Sequence, residues 1–207
     1  MKQYFFSLVV LFLIASCNSN QKNGSNRKST KPPIAQTMDS TNAQNKAIER
    51  DSLPAPLPEP DFLKTLKVQH LPYRDSTNFD NHTDQPQMRD TEIEQLKLKS
   101  RIPDGFNFKL NHKLAISQQF HAIVISYYVS DNELYTALIT YNKDYNIIDL
   151  LDIAFDEVAE SWFRIESTVH KDHIVLEHFD YTDNAPKVTI TDYKIEPNGT
   201  FAKVETM

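Results

Sequence analysis

The hydrophobic positions of this chain change their spacing along its length. Residues 4–13 form an almost unbroken apolar run, and residues 18–60 contain no long apolar or aromatic run. From residue 106 onward, apolar and polar positions alternate with a period of two, which is typical of strands that bury one face. The pattern therefore predicts a short apolar leader, a polar connecting segment and a β-rich body.

Short turn sequences separate the apolar runs of the β-rich part. They are Ser130-Asp131-Asn132, Asn142-Lys143-Asp144, Asp183-Asn184-Ala185-Pro186 and Pro197-Asn198-Gly199. Because the loops are short, successive strands are expected to pair antiparallel. The predicted fold class is mainly β with minor α: an antiparallel meander that forms a strongly curved sheet or a small sandwich. We expect one brief helical turn within it, over residues 155–161.

A faint internal repeat runs through these strands. Ile123-Val124-Ile125 resembles Ile174-Val175-Leu176, and Asp131-Asn132 resembles Asp183-Asn184 at a similar offset of 51 to 52 residues. This offset is close to that of a propeller blade, but two units cannot close a propeller. The repeat predicts two related meanders, and a coincidence between ordinary hairpins is the alternative.

One or two short helices are expected before the strands. Phe62, Leu63 and Leu66 have helical spacing, and Pro72 excludes a continuation of that helix. Residues 91–100 predict a second helix that stops before Pro103-Asp104-Gly105. The body of residues 61–207 is long enough for one globular domain with one core.

The N-terminus has the form of a secretory signal peptide. Met1-Lys2-Gln3 is a short basic start, and the apolar run after it is shorter than the about 20 residues that a membrane-spanning helix needs. Leu13-Ile14-Ala15-Ser16-Cys17 resembles the lipobox of bacterial lipoproteins. This resemblance implies cleavage of a signal peptide at residues 1–16 and acylation of Cys17, with palmitate among the chains. An ordinary secreted protein and an uncut membrane anchor are the alternatives.

Residues 17–60 are interpreted as a lipidated cysteine followed by a disordered, Pro-rich tether. Polar composition prevents this segment from burying enough surface to offset its ordering entropy. Proline occupies alternate positions from Pro54 to Pro60, which favours a semi-rigid extended spacer. As a flexible coil, residues 18–60 would reach about 35–40 Å.

The charge changes sign at the same boundary. Residues 18–60 carry a net charge of +2 and residues 61–207 a net charge of −9. An acidic domain repels phosphate backbones, so no nucleic acid is expected as a partner. A cationic envelope protein or a glycan is the expected partner, besides the membrane that holds the lipid.

The carboxylates before the single tryptophan form the strongest candidate site. Asp149, Asp152, Asp156, Glu157 and Glu160 precede Trp162. Carboxylates beside an aromatic ring can bind sugars, cations or a basic protein surface, and paired carboxylates can hydrolyse glycosides. A solvated loop with one core tryptophan is the alternative interpretation.

No other motif points to catalysis or to a cofactor. The chain has no Gly-rich phosphate loop, no nucleophile elbow and no zinc-protease motif. His170 and His173 would lie opposite each other across a tight hairpin, within reach of one Zn²⁺. His178 falls on the other strand face, so a third ligand is missing and neither a metal nor a catalytic residue is predicted.

Several segments resemble a loose group of uncharacterised exported lipoproteins of Bacteroidota. The resemblance is carried by the lipobox, by Phe62-Leu63-Lys64 with Leu71-Pro72, and by Leu138-Ile139-Thr140-Tyr141-Asn142-Lys143 with Ile147-Ile148-Asp149. Tyr145 stands where that group usually has a turn glycine. The resemblance implies an exported β domain and carries no activity or catalytic residue.

The sequence favours a non-enzymatic binding or interaction lipoprotein of the bacterial cell envelope. Asn18 follows the cysteine in place of the aspartate associated with inner-membrane retention, which favours the outer membrane. One alternative is an envelope glycan hydrolase that uses carboxylates from Asp149–Glu160, for which loss of turnover on substitution of Asp152 or Glu157 is the test. The other is an inhibitor or immunity-type lipoprotein that neutralises a basic enzyme.

Overall fold

The computed structural model describes residues 57–82, 86–158, 162–183 and 185–205. All of them belong to one compact unit. Cys17, the signal peptide, residues 17–56 of the tether and Glu160 lie outside the described residues. Within the described part of the chain, no helix combines the length and the apolar character that a bilayer crossing requires.

The described residues form two short α-helices, one 3₁₀ turn and ten strands. The helices are α1 (Asp61–Lys64) and α2 (Asp90–Gln95), and the 3₁₀ turn is Leu98–Ser100. The strands are β1 (Val68–Gln69), β2 (Tyr73–Asp75), β3 (Phe106–Leu114), β4 (His121–Ser130), β5 (Glu133–Tyr141), β6 (Ile147–Glu157), β7 (Phe163–Val169), β8 (His173–Asp180), β9 (Lys187–Ile195) and β10 (Phe201–Lys203).

The strands from β3 to β10 form one antiparallel meander in sequence order. β1 adds to β3 as the one parallel pair among the described strands. The predicted fold class, a mainly β antiparallel meander with short N-terminal helices, is confirmed. The alternating apolar runs determine this outcome, because each short turn returns the chain beside the strand it has just left.

The sheet changes direction between β6 and β7. β6 pairs with β5 from Ile147 to Glu157 but pairs with β7 only at Phe155 and Asp156. Past that point β2 takes the place of β6, since Tyr73–Asp75 pair with residues 167–169 of β7. The N-terminal strands and the C-terminal strands can therefore diverge and face each other across a core.

The two faces of the N-terminal strands bury two separate hydrophobic clusters. One cluster lies under the helices, with Leu63, Leu96 and Phe108 packed on Ile123 and Ile139. The other lies between the two halves of the sheet. Its members include Phe120, Val124, Leu138, Ile153, Val169, Ile174 and Ile195. Alternation along β4 and β5 separates these clusters, because neighbouring residues of a strand point to opposite faces.

One end of the sheet is drawn together by side chains that bind backbone groups. The Thr140 hydroxyl donates to the Gly199 carbonyl over 2.7 Å, and the Phe201 N–H donates to Asp149 Oδ2 over 2.9 Å. Gly199 has φ of +92°, and a Cβ there would approach Ile148 at 3.1 Å. The β9–β10 turn is thus fastened onto β5 and β6. We call this the entry end, because the described chain also begins there at Leu57.

Two local expectations are corrected. The expected helical turn over residues 155–161 is wrong at its start, since β6 continues to Glu157; residues 159–161 lie outside the described residues. The expected helix over residues 91–100 is divided, because Lys97 has a left-handed φ of 54° between α2 and the 3₁₀ turn. Tyr145, which stands where the group of lipoproteins that the chain resembles usually has a turn glycine, itself adopts a positive φ of 56°.

The internal repeat does not extend to strand register. Ile123 pairs with Ile139, so a repeat of 51 residues would pair Ile174 with Ile190. Ile174 pairs with Tyr193 instead. The two hairpins share an order of apolar residues but differ in how their strands align.

Candidate functional site

The candidate carboxylates of β6 are divided between the two faces of the sheet. Asp149 faces the C-terminal strands and accepts the Phe201 N–H, while its other oxygen lies 3.4 Å from Arg101. Asp152 lies on the helix side and accepts a hydrogen bond from the Tyr127 phenol over 2.8 Å. The two residues are three positions apart in a regular stretch of the β5–β6 pairing, and strand alternation therefore directs them to opposite faces. The two carboxylates therefore cannot act on one substrate atom.

The remaining described carboxylates of the series lie at the other end of β6. Asp156 Oδ2 accepts the Phe79 N–H over 3.0 Å. Glu157 Oε1 accepts the N–H groups of Trp162 and Phe163 over 3.0 and 3.2 Å. Each of these side chains binds the backbone of its own chain. The described members of the acidic series, Asp149, Asp152, Asp156 and Glu157, thus bind groups of the chain itself and do not line a single cleft.

The His170–His173 pair adopts the expected positions across its hairpin. The ring centroids are 4.2 Å apart and the ring planes differ by 9°. Stacked imidazoles direct their in-plane nitrogens sideways, so they do not converge on one ion. His173 Nδ1 lies 2.8 Å from Asp172 Oδ1. No group of three or more His, Cys, Asp or Glu in the described ranges could hold a metal ion.

The end of the sheet opposite the entry end exposes large apolar side chains. We call this group the distal rim; its members are Val129, Val158, Trp162, Phe163 and Tyr181. They lie at the C-terminal ends of β4, β6 and β8 and at the N-terminal end of β7. Because the strands are antiparallel, these termini lie at the same end of the sheet. Trp162 is 46% exposed, Phe163 47% and Tyr181 40%. Large apolar side chains that are exposed at the same end of a sheet are candidates for an interaction site.

Backbone hydrogen bonds hold the aromatic residues of the rim in place. Glu157 binds the N–H groups of Trp162 and Phe163, and the Tyr181 N–H donates to the Trp162 carbonyl over 2.8 Å. Phe179 stacks on Tyr181 with a centroid distance of 6.2 Å. The aromatic side chains are exposed although their backbone is fixed. Exposed rings on fixed backbone lose little entropy on contact with a partner.

The strand ends and turns around the distal rim are acidic. They carry the carboxylates Asp131, Glu133, Asp156, Glu157, Asp180 and Asp183 and the cations Arg164 and Lys187. Both cations are engaged, Arg164 with Glu166 and Lys187 with Asp183. The rim therefore combines apolar area with a negative surrounding potential.

The described chain enters the domain far from this rim. The Leu57 N–H lies 3.4 Å from Asp144 Oδ1 in the β5–β6 turn. Glu59 forms an ion pair with Lys113 near the end of β3 over 3.0 Å. The β5–β6 turn and the β4–β5 turn lie at opposite ends of β5. The distal rim therefore faces away from the point where the chain enters.

A polar group that the sequence analysis did not identify lies between the two halves of the sheet. Asp75, His112 and Ser167 are each more than nine-tenths buried. The Tyr73 phenol donates to Asp75 Oδ2 over 2.9 Å, and its ring packs edge-on against His112 at 4.6 Å. Burial lowers the pKa of His112 to about 4, although Asp75 acts in the opposite direction. His112 is therefore neutral at pH 7.

This polar group opens onto a cavity of about 280 Å³. Tyr73 and His112 line it together with Lys67, Gln69, Thr77, Asn81 and Asn111. A separate cavity of about 290 Å³ includes Tyr127, Tyr135, Asp152 and Arg101. Burial raises the pKa of the Asp152 carboxyl, and the hydrogen bond from Tyr127 partly offsets that effect. Val129 of the distal rim also lines this second cavity, whereas Val158, Trp162, Phe163 and Tyr181 line neither of the two.

The sequence analysis identified Trp162 and Glu157 but not their neighbours at the rim. Phe163 and Tyr181 could have been identified, because each is an aromatic residue beside turn residues at a predicted strand end. Tyr73, His112 and Ser167 gave no such signal. They come from three strands that are distant in sequence and meet only in the folded chain.

Comparisons with protein-family models, with curated proteins and with solved structures give no match.

Proposed function

We propose that this protein is a lipid-anchored binding module of the bacterial cell envelope, which contacts its partner through the distal rim. The observation that carries the proposal is the position of the rim. Exposed aromatic and aliphatic side chains, including Trp162 and Phe163, lie at the end of the sheet opposite the chain entry at Leu57. A domain held through its N-terminal side would present this end outward.

A cationic protein with an apolar contact patch is the partner that fits the rim best. Domain residues 61–207 have a net charge of −9, and the carboxylates Asp131, Glu133 and Asp180 surround the rim. Opposite charges steer the encounter, and the aromatic anchors supply contact area. An inhibitor or immunity-type role against a basic enzyme is one form of this function.

The geometry gives less support to an envelope glycan hydrolase. Asp152 accepts a hydrogen bond from the Tyr127 phenol on the helix side of the sheet. Glu157 accepts hydrogen bonds from the backbone N–H groups of Trp162 and Phe163 at the rim. Hydrolysis requires two carboxyl groups about 5–9.5 Å apart around one glycosidic bond. Because Asp152 and Glu157 are hydrogen-bonded to groups of the protein itself, a structural role is favoured for both.

The lipid anchor is tested by metabolic labelling with palmitate. The wild-type chain is expected to incorporate label and to sediment with membranes, and Cys17→Ala is expected to lose both properties. The matched control is Ser16→Ala, which alters the neighbouring residue and retains the thiol. Labelling of Cys17→Ala at the wild-type level would contradict lipidation at this residue.

The rim is tested by photo-crosslinking in the envelope of the native host. A photoreactive residue at Tyr181 is expected to capture a basic protein, and the yield is expected to fall as salt screens the charges. The double variant Trp162→Ala/Phe163→Ala is expected to lower the yield about tenfold, as aromatic hot spots do at interfaces. Val68→Ala is the matched control, because Val68 is 47% exposed, as Phe163 is, and lies in β1 away from the rim. Equal losses in the two variants would contradict the proposal.

A further inference from the structure

Strand β9 is covered along only part of its outer edge. On one side it pairs with β8 from Lys187 to Lys194. On the other side β10 pairs only with Tyr193–Ile195, and the Val204 N–H donates to the Asp192 carbonyl over 2.8 Å. In the described part of the chain, no strand pairs with this edge over residues 187–191. These residues form what we call the bare edge.

The hydrogen bond from the Val204 N–H to the Asp192 carbonyl shows which residues of the bare edge direct their N–H and C=O groups outward. The Asp192 carbonyl points toward β10, and backbone groups alternate between the two edges of a strand with a period of two. Val188 and Ile190 therefore direct their N–H and C=O groups outward, whereas Thr189 directs its own toward β8. The edge offers two residues that can each exchange both hydrogen bonds with an added strand.

The bare edge lacks most of the features that keep edge strands apart. Natural edges are blunted by proline, bulges or charged side chains. The β8–β9 register is regular, and Lys187 is the only charged residue among residues 187–191. Val188 is 51% exposed and Ile190 57%. A β-branched, exposed and regular edge is a template for strand addition.

We propose that the bare edge pairs with the same edge of a second copy of this chain, antiparallel and centred on Thr189. In this register Val188 lies opposite Ile190 of the second copy, and Ile190 lies opposite its Val188. Both are hydrogen-bonded pairs, because all four residues direct their backbone groups outward. Thr189 then faces Thr189 of the second copy, as a twofold contact requires.

Neighbouring registers use the edge less well. Centring the pair on Val188 places Pro186 opposite Ile190, and proline has no N–H to donate. Centring it on Ile190 places Val188 opposite Asp192, whose carbonyl already accepts the Val204 N–H. The Thr189 register alone lets Val188 and Ile190 exchange all of their outward bonds. This self-complementarity is the reason for choosing a second copy over an unrelated strand.

Charge gives the dimer a salt dependence opposite to that of the distal rim. Two domains of net charge −9 repel each other, so screening is expected to favour dimerisation. Binding of a cationic partner at the rim is weakened by the same salt. The two proposals can therefore fail independently.

The test uses disulfide capture in the full chain carrying Cys17→Ser, which removes the only native cysteine. In Thr189→Cys, the new cysteine faces itself in a non-hydrogen-bonded pair with a Cα–Cα distance of about 4.5 Å, within the disulfide range of about 4.4–6.8 Å. Mild oxidation is expected to yield a covalent dimer, in an amount that rises with salt. Thr191→Cys is the matched control, because the Cα atoms of residue 191 in the two copies would lie about 14 Å apart. It is expected to give about tenfold less dimer, since its geometry prevents bridging.

A second variant is designed to block strand pairing at the bare edge without disturbing the fold. Ile190→Pro in the Thr189→Cys chain deletes an N–H that points away from β8, so the β8–β9 pairing is retained. It is expected to abolish capture and to leave the thermal unfolding midpoint nearly unchanged. Equal capture at positions 189 and 191, no capture at 189, or capture at 189 that survives Ile190→Pro would each overturn the proposal.

Discussion

The two ends of the sheet differ in whether the large apolar side chains near the strand termini are buried or exposed. At the entry end, Thr140 and Asp149 bind backbone groups of the β9–β10 segment, and Phe120 is buried beside Gly199. At the distal end, Glu157 also binds backbone groups, but Trp162 and Phe163 remain half exposed. The same kind of carboxylate contact closes one end of the core and displays apolar side chains at the other. The entry end therefore contributes to the stability of the core, and the distal end is the surface that we propose for recognition.

Truncation of one phenylalanine at each end gives the largest expected contrast. Phe120→Ala is expected to lower the free energy of unfolding by about 3–5 kcal/mol, because it leaves a cavity in a buried cluster. Phe163→Ala is expected to change it by no more than about 0.5 kcal/mol, because the side chain is 47% exposed. Denaturant unfolding of the two variants measures the difference. Similar losses would mean that the distal rim is part of the core.

The pH dependence of stability tests the buried polar group of Asp75, His112 and Ser167, which lies between the two halves of the sheet. Because the pKa of His112 is about 4 in the fold and near 6.5 in an unfolded chain, the unfolded state binds more protons between these values. Stability is therefore fully present above about pH 6.5 and falls by about 2–3 kcal/mol toward pH 4.

The variant His112→Gln isolates this effect from other groups. Asp152 has a raised pKa, so as the pH falls it contributes with the opposite sign in both proteins. The difference between the wild-type and His112→Gln stability curves is expected to decline from pH 6.5 to 4, as measured by urea unfolding at each pH. A flat difference would contradict the neutral, buried state of His112.

Substitution of the carboxylates at the two ends of β6, Asp149 and Glu157, gives a smaller expected difference in stability. Asp149→Ala removes the acceptor for the Phe201 and Leu150 N–H groups and is expected to cost about 1–3 kcal/mol of stability. Glu157→Ala removes the acceptor for Trp162 and Phe163 at an exposed site and is expected to cost less than about 1 kcal/mol. Glu157→Ala is nevertheless expected to weaken photo-crosslinking at the rim. Thermal unfolding and crosslinking yield together separate the two roles.

The smallest expected effect is spectroscopic. Trp162 is the only tryptophan of the chain and is 46% exposed, so acrylamide is expected to quench its fluorescence efficiently. Addition of the crosslinked partner is expected to reduce this quenching, because contact covers the indole. Val68→Ala should leave both measurements unchanged. Quenching that is weak in the free protein would place the indole inside the core.

The architecture was predictable because it depends on local signals. Alternating residues and short turns specify β3 to β10, and each strand then pairs with its sequence neighbour. β2 was not predictable, because Tyr73–Asp75 form a strand only where β6 leaves the edge of β7. Its three residues carry no periodicity that would distinguish them from a loop.

The candidate site was predictable only in part. The sequence placed carboxylates and Trp162 near each other along the chain, and Glu157 and Trp162 do lie in contact. Strand alternation alone places Asp149 and Asp152, which are three residues apart, on opposite faces, and the pairing of residues 149–152 with β5 is regular. The polar group of Tyr73, Asp75 and His112 depends on contacts between strands of the two sheet halves, which no local pattern encodes.

The position of the chain entry also determines how the domain would respond to a pulling force. Tension applied upstream of Leu57 would reach the sheet through the Glu59–Lys113 ion pair and through β1, which runs parallel to β3. β1 pairs with β3 at two positions, Val68 with Lys113 and Gln69 with Leu114, and a pull along β3 would load both positions together because interstrand hydrogen bonds lie across the strand direction. If the proposed anchor and partner both apply force to the domain, the β1–β3 pairing and the Glu59–Lys113 ion pair are the first contacts that would bear it.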